Sequence, residues 1–190
     1  MEETRRNKIL TIPNGLSLLR ILMIPVFIWA YCFKQDYPMT ALVLVLSGLT
    51  DMADGYIARH FNMISDFGKA LDPVADKLTQ FAMLVCLLTR FKLMFVPMLL
   101  IVVKEISTGI SSLVVIKKTG TVMGADWHGK VTTFLLYGMM ITHVLWYNIP
   151  SSTSTLLISI CVVMMLISFV MYILRNINTL KKHKEDNAEI

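Results

Sequence analysis

Asp51, Asp54, Asp66, Asp72 and Asp76 fall within 26 consecutive residues of a chain that is 55% apolar. Carboxylates are expensive inside a bilayer and mark a site where they occur. Asp51 and Asp54 are spaced i,i+3, and Asp72 and Asp76 i,i+4. On helices each pair shares one face, with Cβ atoms roughly 5–6 Å apart. The polar join from His60 to Ser65 is short enough to set two such helices side by side, so the four acids are expected to converge. At about 5 Å and an effective dielectric near 20, each like-charged pair repels by roughly 3 kcal/mol. Six pairs total on the order of 20 kcal/mol, more than the roughly 5–15 kcal/mol that keeps a domain folded. Such a cluster is protonated, splayed apart, or filled with cations. Ligation by oxygen alone points to a hard divalent ion, Mg²⁺ or Mn²⁺, with two ions sharing ligands.

The residues between the acids narrow the chemistry. Gly55 and Ala58 follow Asp54 on the same predicted helix, and small side chains let a ligand approach the backbone. Arg59 ends that helix, and its planar fork suits a phosphate. Gly68 precedes the second acid pair by a turn, and Pro73 lies in the first turns of that helix, where a missing N–H does least harm.

These acids need a scaffold that spans a membrane. Only 16% of the 190 residues are charged, against about 25% in an ordinary soluble domain. Apolar runs near the length of about 20 residues that a bilayer requires predict six transmembrane helices, over about 16–33, 40–59, 69–89, 93–116, 131–147 and 155–174. The expected organisation is an all-α integral membrane protein. An interfacial segment covers 1–12, a six-helix domain 13–176 and a basic cytoplasmic tail 177–190. Arg5, Arg6 and Lys8 followed by Ile9, Leu10 and Ile12 read as an amphipathic stretch on an anionic leaflet, or equally as a frayed tail. Cys32, Cys86 and Cys161 have no metal-ligand spacing and read as packing residues without a disulfide. The four histidines form no HxxxH pair.

Positive residues set the orientation. Six spans put both termini on one side, with Arg59, Lys69, Lys117, Lys118, Lys130 and the basic ends; the other side receives Lys34, Arg90 and Lys92. The acid cavity is then expected to open to the cytoplasm from an inner-membrane, multi-pass protein. Arg20 either snorkels at the end of the first span or faces the acids or a ligand phosphate. Lys104, beside Glu105 at mid-depth, either pairs internally or meets an acidic substrate. Lys130 either binds a phosphate or obeys the charge rule alone. The loop from Thr119 to Trp127 carries no evident chemistry, and the basic tail from Arg175 reads as a solvated helix extension.

The pattern Asp-x2-Asp-Gly-x2-Ala-Arg-x8-Gly-x3-Asp-x3-Asp, carried by Asp51, Asp54, Gly55, Ala58, Arg59, Gly68, Asp72 and Asp76, resembles the signature of the CDP-alcohol phosphotransferase family. Ile12-Pro13-Asn14 and the run Leu71 to Lys77 are similar to the members that make phosphatidylglycerophosphate. The resemblance covers most of the chain and is strongest over 9–80. It implies transfer of a phosphatidyl group from CDP-diacylglycerol to an alcohol, here glycerol 3-phosphate, with release of CMP. It also implies metal binding by Asp51, Asp54 and Asp72, with Asp76 a further ligand or the general base. Gly55, Ala58, Arg59 and Gly68 would shape the CDP pocket, and the protein would be a homodimer. Lys104, Lys130 and Arg20, with Arg59, are the candidate cations for the acceptor phosphate. Family members of this kind carry an Arg where this chain has Lys104, and a second Arg where it has Ser112, which leaves the acceptor open. Phosphatidylglycerol, giving cardiolipin, is the alternative acceptor. A transporter or a non-catalytic metal protein is a competing class. The acids, however, are confined to two spans, and the last two spans hold no Asp or Glu, unlike a transporter built from related halves. No nucleic-acid partner is expected.

Overall fold

The computed structural model describes residues 11–60, 66–120 and 126–186, and among these every regular element is helical. The helices are α1 (Ile12–Ile28), α2 (Tyr37–His60), α3 (Asp66–Leu88), α4 (Phe95–Thr119), α5 (Trp127–Leu145) and α6 (Ser151–Asp186). A π turn, Trp29–Lys34, prolongs α1, and a 3-10 turn, Lys92–Met94, precedes α4. The proposed interfacial segment falls almost wholly outside the described residues.

Among the described residues three helical stretches are long and apolar enough to cross a membrane: Ile12–Lys34, Lys92–Thr119 and Ser151–Lys181. The acids dilute the hydropathy of α2 and α3, although both have spanning length at about 1.5 Å per residue. Leu113 (67% exposed), Phe134 (77%) and Leu156 (60%) exemplify apolar side chains on the outer faces. A water-soluble surface would not carry so many; a lipid-facing one would.

The helix ends follow from sequence. Thr11 caps α1, its hydroxyl accepting from the Asn14 N–H at 3.4 Å, and Pro13 sits in the first turn. After the π turn, Gln35 takes a left-handed φ of 53°. Asp36 then caps α2 by accepting from the Met39 N–H at 2.9 Å. Gly120, with φ 67°, closes α4 through an N–H bond to the Ile116 carbonyl at 2.8 Å, the conformation that glycine adopts without penalty.

The chain divides into two compact units: residues 1–92 with 140–149, and 93–139 with 150–190. In the first unit α1 packs on both α2 and α3. The inward stripe of α2 is Thr40, Leu44, Ser47, Asp51 and Asp54; that of α3 is Asp72, Ala75, Asp76, Thr79, Met83 and Leu87. Alternating steps of three and four define one helical face. On each helix the carboxylates lie together at one end of the stripe. In the second unit α4 packs on α6. The α6 stripe of Ile158, Cys161, Met165, Ser168 and Asn176 is buried throughout.

Candidate active site

Asp51 and Asp54 reach the interior one turn apart on α2. Asp54 is only 2% exposed, whereas the Asp51 side chain is 38% exposed. Asp72 and Asp76 occupy the first half of α3, with Pro73 between them. Asp51 lies within electrostatic reach of Asp72, Asp76 and Lys77. The spacing argument therefore brings the two acid pairs into one neighbourhood of the first unit.

What the spacing did not reveal is how α1 answers them. Arg20 is fully buried. Its Nη2 donates to Asp54 Oδ2, and its Nη1 lies 2.8 Å from Asp51 Oδ1. One planar fork thus meets two carboxylates through two separate nitrogens held in fixed geometry. Snorkelling, one of the two options for Arg20, is not what occurs. Ser17, one turn earlier on α1, is also fully buried and donates through Oγ to Asp72 Oδ1. Only the i,i+3 spacing of Ser17 and Arg20 could have drawn attention to Ser17. Asp76 accepts from the Gln80 amide, whose Nε2 lies 3.0 and 2.9 Å from its two oxygens. Lys77 Nζ lies 3.6 Å from Asp76 Oδ2 and 3.5 Å from Gln80 Oε1, which fixes the amide's orientation.

The donor set, four carboxylates and no sulfur or imidazole, fits a hard divalent cation. As arranged here the oxygens are engaged by Arg20, Ser17, Gln80 and Lys77, and among the described residues no three acids form a ready metal cage. Among the described residues Arg20 Nε is buried without a hydrogen-bond partner, so the guanidinium retains a donor that they do not use. Gly55, Ala58 and Arg59 belong to the last turns of α2 and Gly68 to the first turn of α3, where it is buried. The side chains of Ala58 and Arg59 lie outside the described residues.

The second unit holds a separate polar cluster, built on α4, α5 and α6. Lys104 Nζ donates to Ser168 Oγ at 3.2 Å and lies 5.6 Å from the centre of the Tyr172 ring. The Arg175 guanidinium is 5.0 Å from the same ring and pairs with Asp126 Oδ2. His128 bridges Asp126 Oδ2 (3.1 Å) and Ser168 Oγ (3.0 Å) and packs edge-on against Tyr172. Asn176 Nδ2 donates to Ser111 at 2.7 Å and approaches Ser112 at 3.4 Å. Lys130, at the start of α5, is exposed. The sequence singled out Lys104 and Lys130 but missed Arg175 and Asp126. By sequence Arg175 opens the basic tail, yet it falls one turn beyond Met171 on a helix that continues unbroken to Asp186. Asp126 lies in the loop whose sequence carries no evident chemistry.

Gly129 explains how closely α5 approaches Tyr172. A Cβ at this position would lie 2.6 Å from the Tyr172 hydroxyl. Tyr172 carries both cations on its ring and has His128 at its edge, so it has little room to yield. Gly129→Ala should therefore cost about 1–3 kcal/mol through overpacking, read as a lower unfolding temperature. An unchanged transition would mean that the ring swings clear.

The family model described as CDP-alcohol phosphatidyltransferase matches residues 10–174. A protein from Rickettsia felis named CDP-diacylglycerol–glycerol-3-phosphate 3-phosphatidyltransferase is 36% identical over 127 residues, 65% of this chain and 69% of that protein. A Bacillus subtilis protein of the same name is 30% identical over 153 residues, 73% of this chain and 78% of its own. A Streptomyces coelicolor cardiolipin synthase (CMP-forming) is 41% identical over 97 residues, 47% of this chain and 45% of its own. Among the first Rickettsia relatives the matched stretch covers from 53% to 69% of their length.

Proposed function

Because the chain belongs to the CDP-alcohol phosphatidyltransferase family, we propose that it is an enzyme of phospholipid biosynthesis that transfers the phosphatidyl group of CDP-diacylglycerol to glycerol 3-phosphate, giving phosphatidylglycerophosphate and CMP. One observation carries the reading. Asp51, Asp54, Asp72 and Asp76 continue the inward stripes of two helices, and from a third helix Arg20 meets Asp51 and Asp54 while Ser17 meets Asp72.

Asp51, Asp54 and Asp72 are the residues that would hold Mg²⁺ or Mn²⁺, two ions as the resemblance implies. When bound, the ions supply the positive charge that lets an anionic diphosphate enter and that offsets charge on departing CMP. Asp76 is assigned the proton from the acceptor hydroxyl. That hydroxyl oxygen then bonds to the phosphorus bearing the diacylglycerol, and the bond to the CMP oxygen breaks with its electron pair. Gln80 and Lys77 support the assignment, because they hold the Asp76 carboxylate in one orientation. The unused Arg20 Nε is suited to a phosphate oxygen of the donor. Gly55, Ala58, Arg59 and Gly68 are assigned to the CDP moiety on the resemblance.

The acceptor phosphate is dianionic and needs cations. Lys104 and Lys130 are assigned to it, and Arg175 joins them because its guanidinium shares the Tyr172 ring with Lys104. Arg175 is assigned the planar fork that the family pattern carries at the position of Ser112. Lys130→Ala and Arg175→Ala should each raise KM for glycerol 3-phosphate about tenfold, the equivalent of one charge-assisted hydrogen bond. A KM unchanged in steady-state assays would remove that residue from the acceptor site.

All six helices are proposed as transmembrane, with the acid site open to the cytoplasmic face of the inner membrane, as the distribution of Lys and Arg supports. The family resemblance supports a homodimer. Phosphatidylglycerol is the second acceptor to weigh, favoured by the similarity to the Streptomyces protein. Mass spectrometry of the lipid formed from CDP-diacylglycerol with each acceptor decides between them. The expected product is phosphatidylglycerophosphate; cardiolipin alone would transfer the assignment to the alternative.

A further inference from the structure

Cys32 and Cys86 are 54 positions apart and read from sequence as unrelated packing residues. Cys161 fits that description, being 1% exposed on the α6 stripe. The other two do not. Cys32 is exposed on the π turn, Cys86 is buried in the last turn of α3, and their sulfurs are 3.9 Å apart. The π turn widens the end of α1 and brings Cys32 round to the neighbouring helix.

The location gives the pair meaning. α1 and α3 lie side by side, touching at Ser17–Asp72 near their starts and at Cys32–Cys86 near their ends. These contacts are 15 residues apart on α1 and 14 on α3, so they brace the two helices over about 21–22 Å. The cysteine end is ringed by side chains typical of a membrane–water interface. Lys34 lies over Trp29 at 4.9 Å, Arg90 over Tyr147 at 3.4 Å, and Tyr37 packs against Tyr31 and Tyr147 at 5.7 and 5.0 Å. With the acid end facing the cytoplasm, as proposed above, this end faces the outside, where disulfides persist.

We propose that Cys32 and Cys86 are a dithiol–disulfide pair that staples the outer ends of α1 and α3, oxidised by exchange with a protein or small-molecule disulfide. The exposed Cys32 thiolate attacks one sulfur of the oxidant, forming a mixed disulfide and releasing the first thiolate. Cys86 then attacks Cys32 Sγ, forming the internal bond and releasing the second thiolate. Two protein thiols and one disulfide give one protein disulfide and two thiols. The sulfurs must close from 3.9 Å to about 2.05 Å, a rotamer adjustment for Cys32 on an exposed turn.

The proposal depends on the functional reading only for sidedness, and neither sulfur belongs to the catalytic machinery. Its test is a thiol count. Purified full-length protein in nanodiscs is treated with oxidised glutathione, acid-quenched, denatured and alkylated with a maleimide of known mass. The expected result is a single alkylated thiol, at Cys161, no glutathione adduct, and recovery of all three sites after reduction. Cys161→Ser should leave none after oxidation, and Cys32→Ser should block the internal bond. Three alkylated thiols after oxidation, or a persistent glutathione adduct on Cys32 with Cys86 still alkylated, overturns the proposal. Acid-quenched whole cells supply the second readout. A bonded pair is expected there, and a fully reduced pair overturns the physiological claim. CMP release, measured separately, reports on the catalytic reading whichever way the thiol count falls.

Discussion

Asp76→Asn should reduce turnover by about 10²–10⁴-fold, the usual contribution of a positioned general base, while binding of CDP-diacylglycerol survives in part. The substitution keeps the side chain's shape but removes its capacity to take a proton. It also presents an NH₂ where Gln80 Nε2 now approaches both Asp76 oxygens at 3.0 and 2.9 Å. Two donors cannot face one another, so the Gln80 amide shifts to bond only the oxygen that remains, and one of its two contacts is lost. That rearrangement is local, and the protein should remain folded. Single-turnover release of CMP, with donor binding measured separately, distinguishes a chemical defect from a binding defect. Near-normal turnover would remove Asp76 from the proton-accepting role.

Arg20→Ala should be the most destabilising single change in the acid site. Asp54 is almost fully buried, and Arg20 is the cation that bridges it to Asp51. Removing one partner of a buried pair costs about 3–5 kcal/mol, because the remaining charge is left uncompensated. For a chain of this size that corresponds to a fall in unfolding temperature on the order of 10 °C. Divalent cations should restore part of the loss, since they provide the same neutralising charge. Arg20→Lys should fall between, because an ammonium keeps the charge but loses the fixed fork that presents two separate nitrogens to the two carboxylates. Thermal unfolding in nanodiscs, with and without Mg²⁺, is the measurement. A transition unmoved by Arg20→Ala would mean that the carboxylates do not depend on this residue.

The legible parts of the molecule were those with a period or a fixed spacing. Six helical segments could be read from apolar runs, and the acid pairs from their i,i+3 and i,i+4 offsets, because both signals are local. The partners of those acids were less legible. Arg20 left two options open, and only tertiary packing of α1 against α2 and α3 decided that it turns inward. Ser17 is one serine among many until its hydroxyl meets Asp72. Arg175 and Asp126 form an ion pair across 49 positions, and nothing in the local text of either announces the other. The paired sulfurs of Cys32 and Cys86 were hidden in the same way, since separation along the chain says little about separation in space. Helix ends were also displaced: α6 runs to Asp186, about a dozen residues past its apolar run. Its polar continuation keeps Asn176 and Arg175 on the inward face.

The central claim is that the four aspartates assemble a cation-dependent site that expels CMP from a nucleotide-activated lipid. The direct measurement is CMP release from CDP-diacylglycerol by chelator-stripped, purified protein, with Mg²⁺ or Mn²⁺ and glycerol 3-phosphate added singly and together. Release only when a divalent cation and glycerol 3-phosphate are both present is the predicted result. Release undiminished by chelation, or no release with any combination, would contradict it.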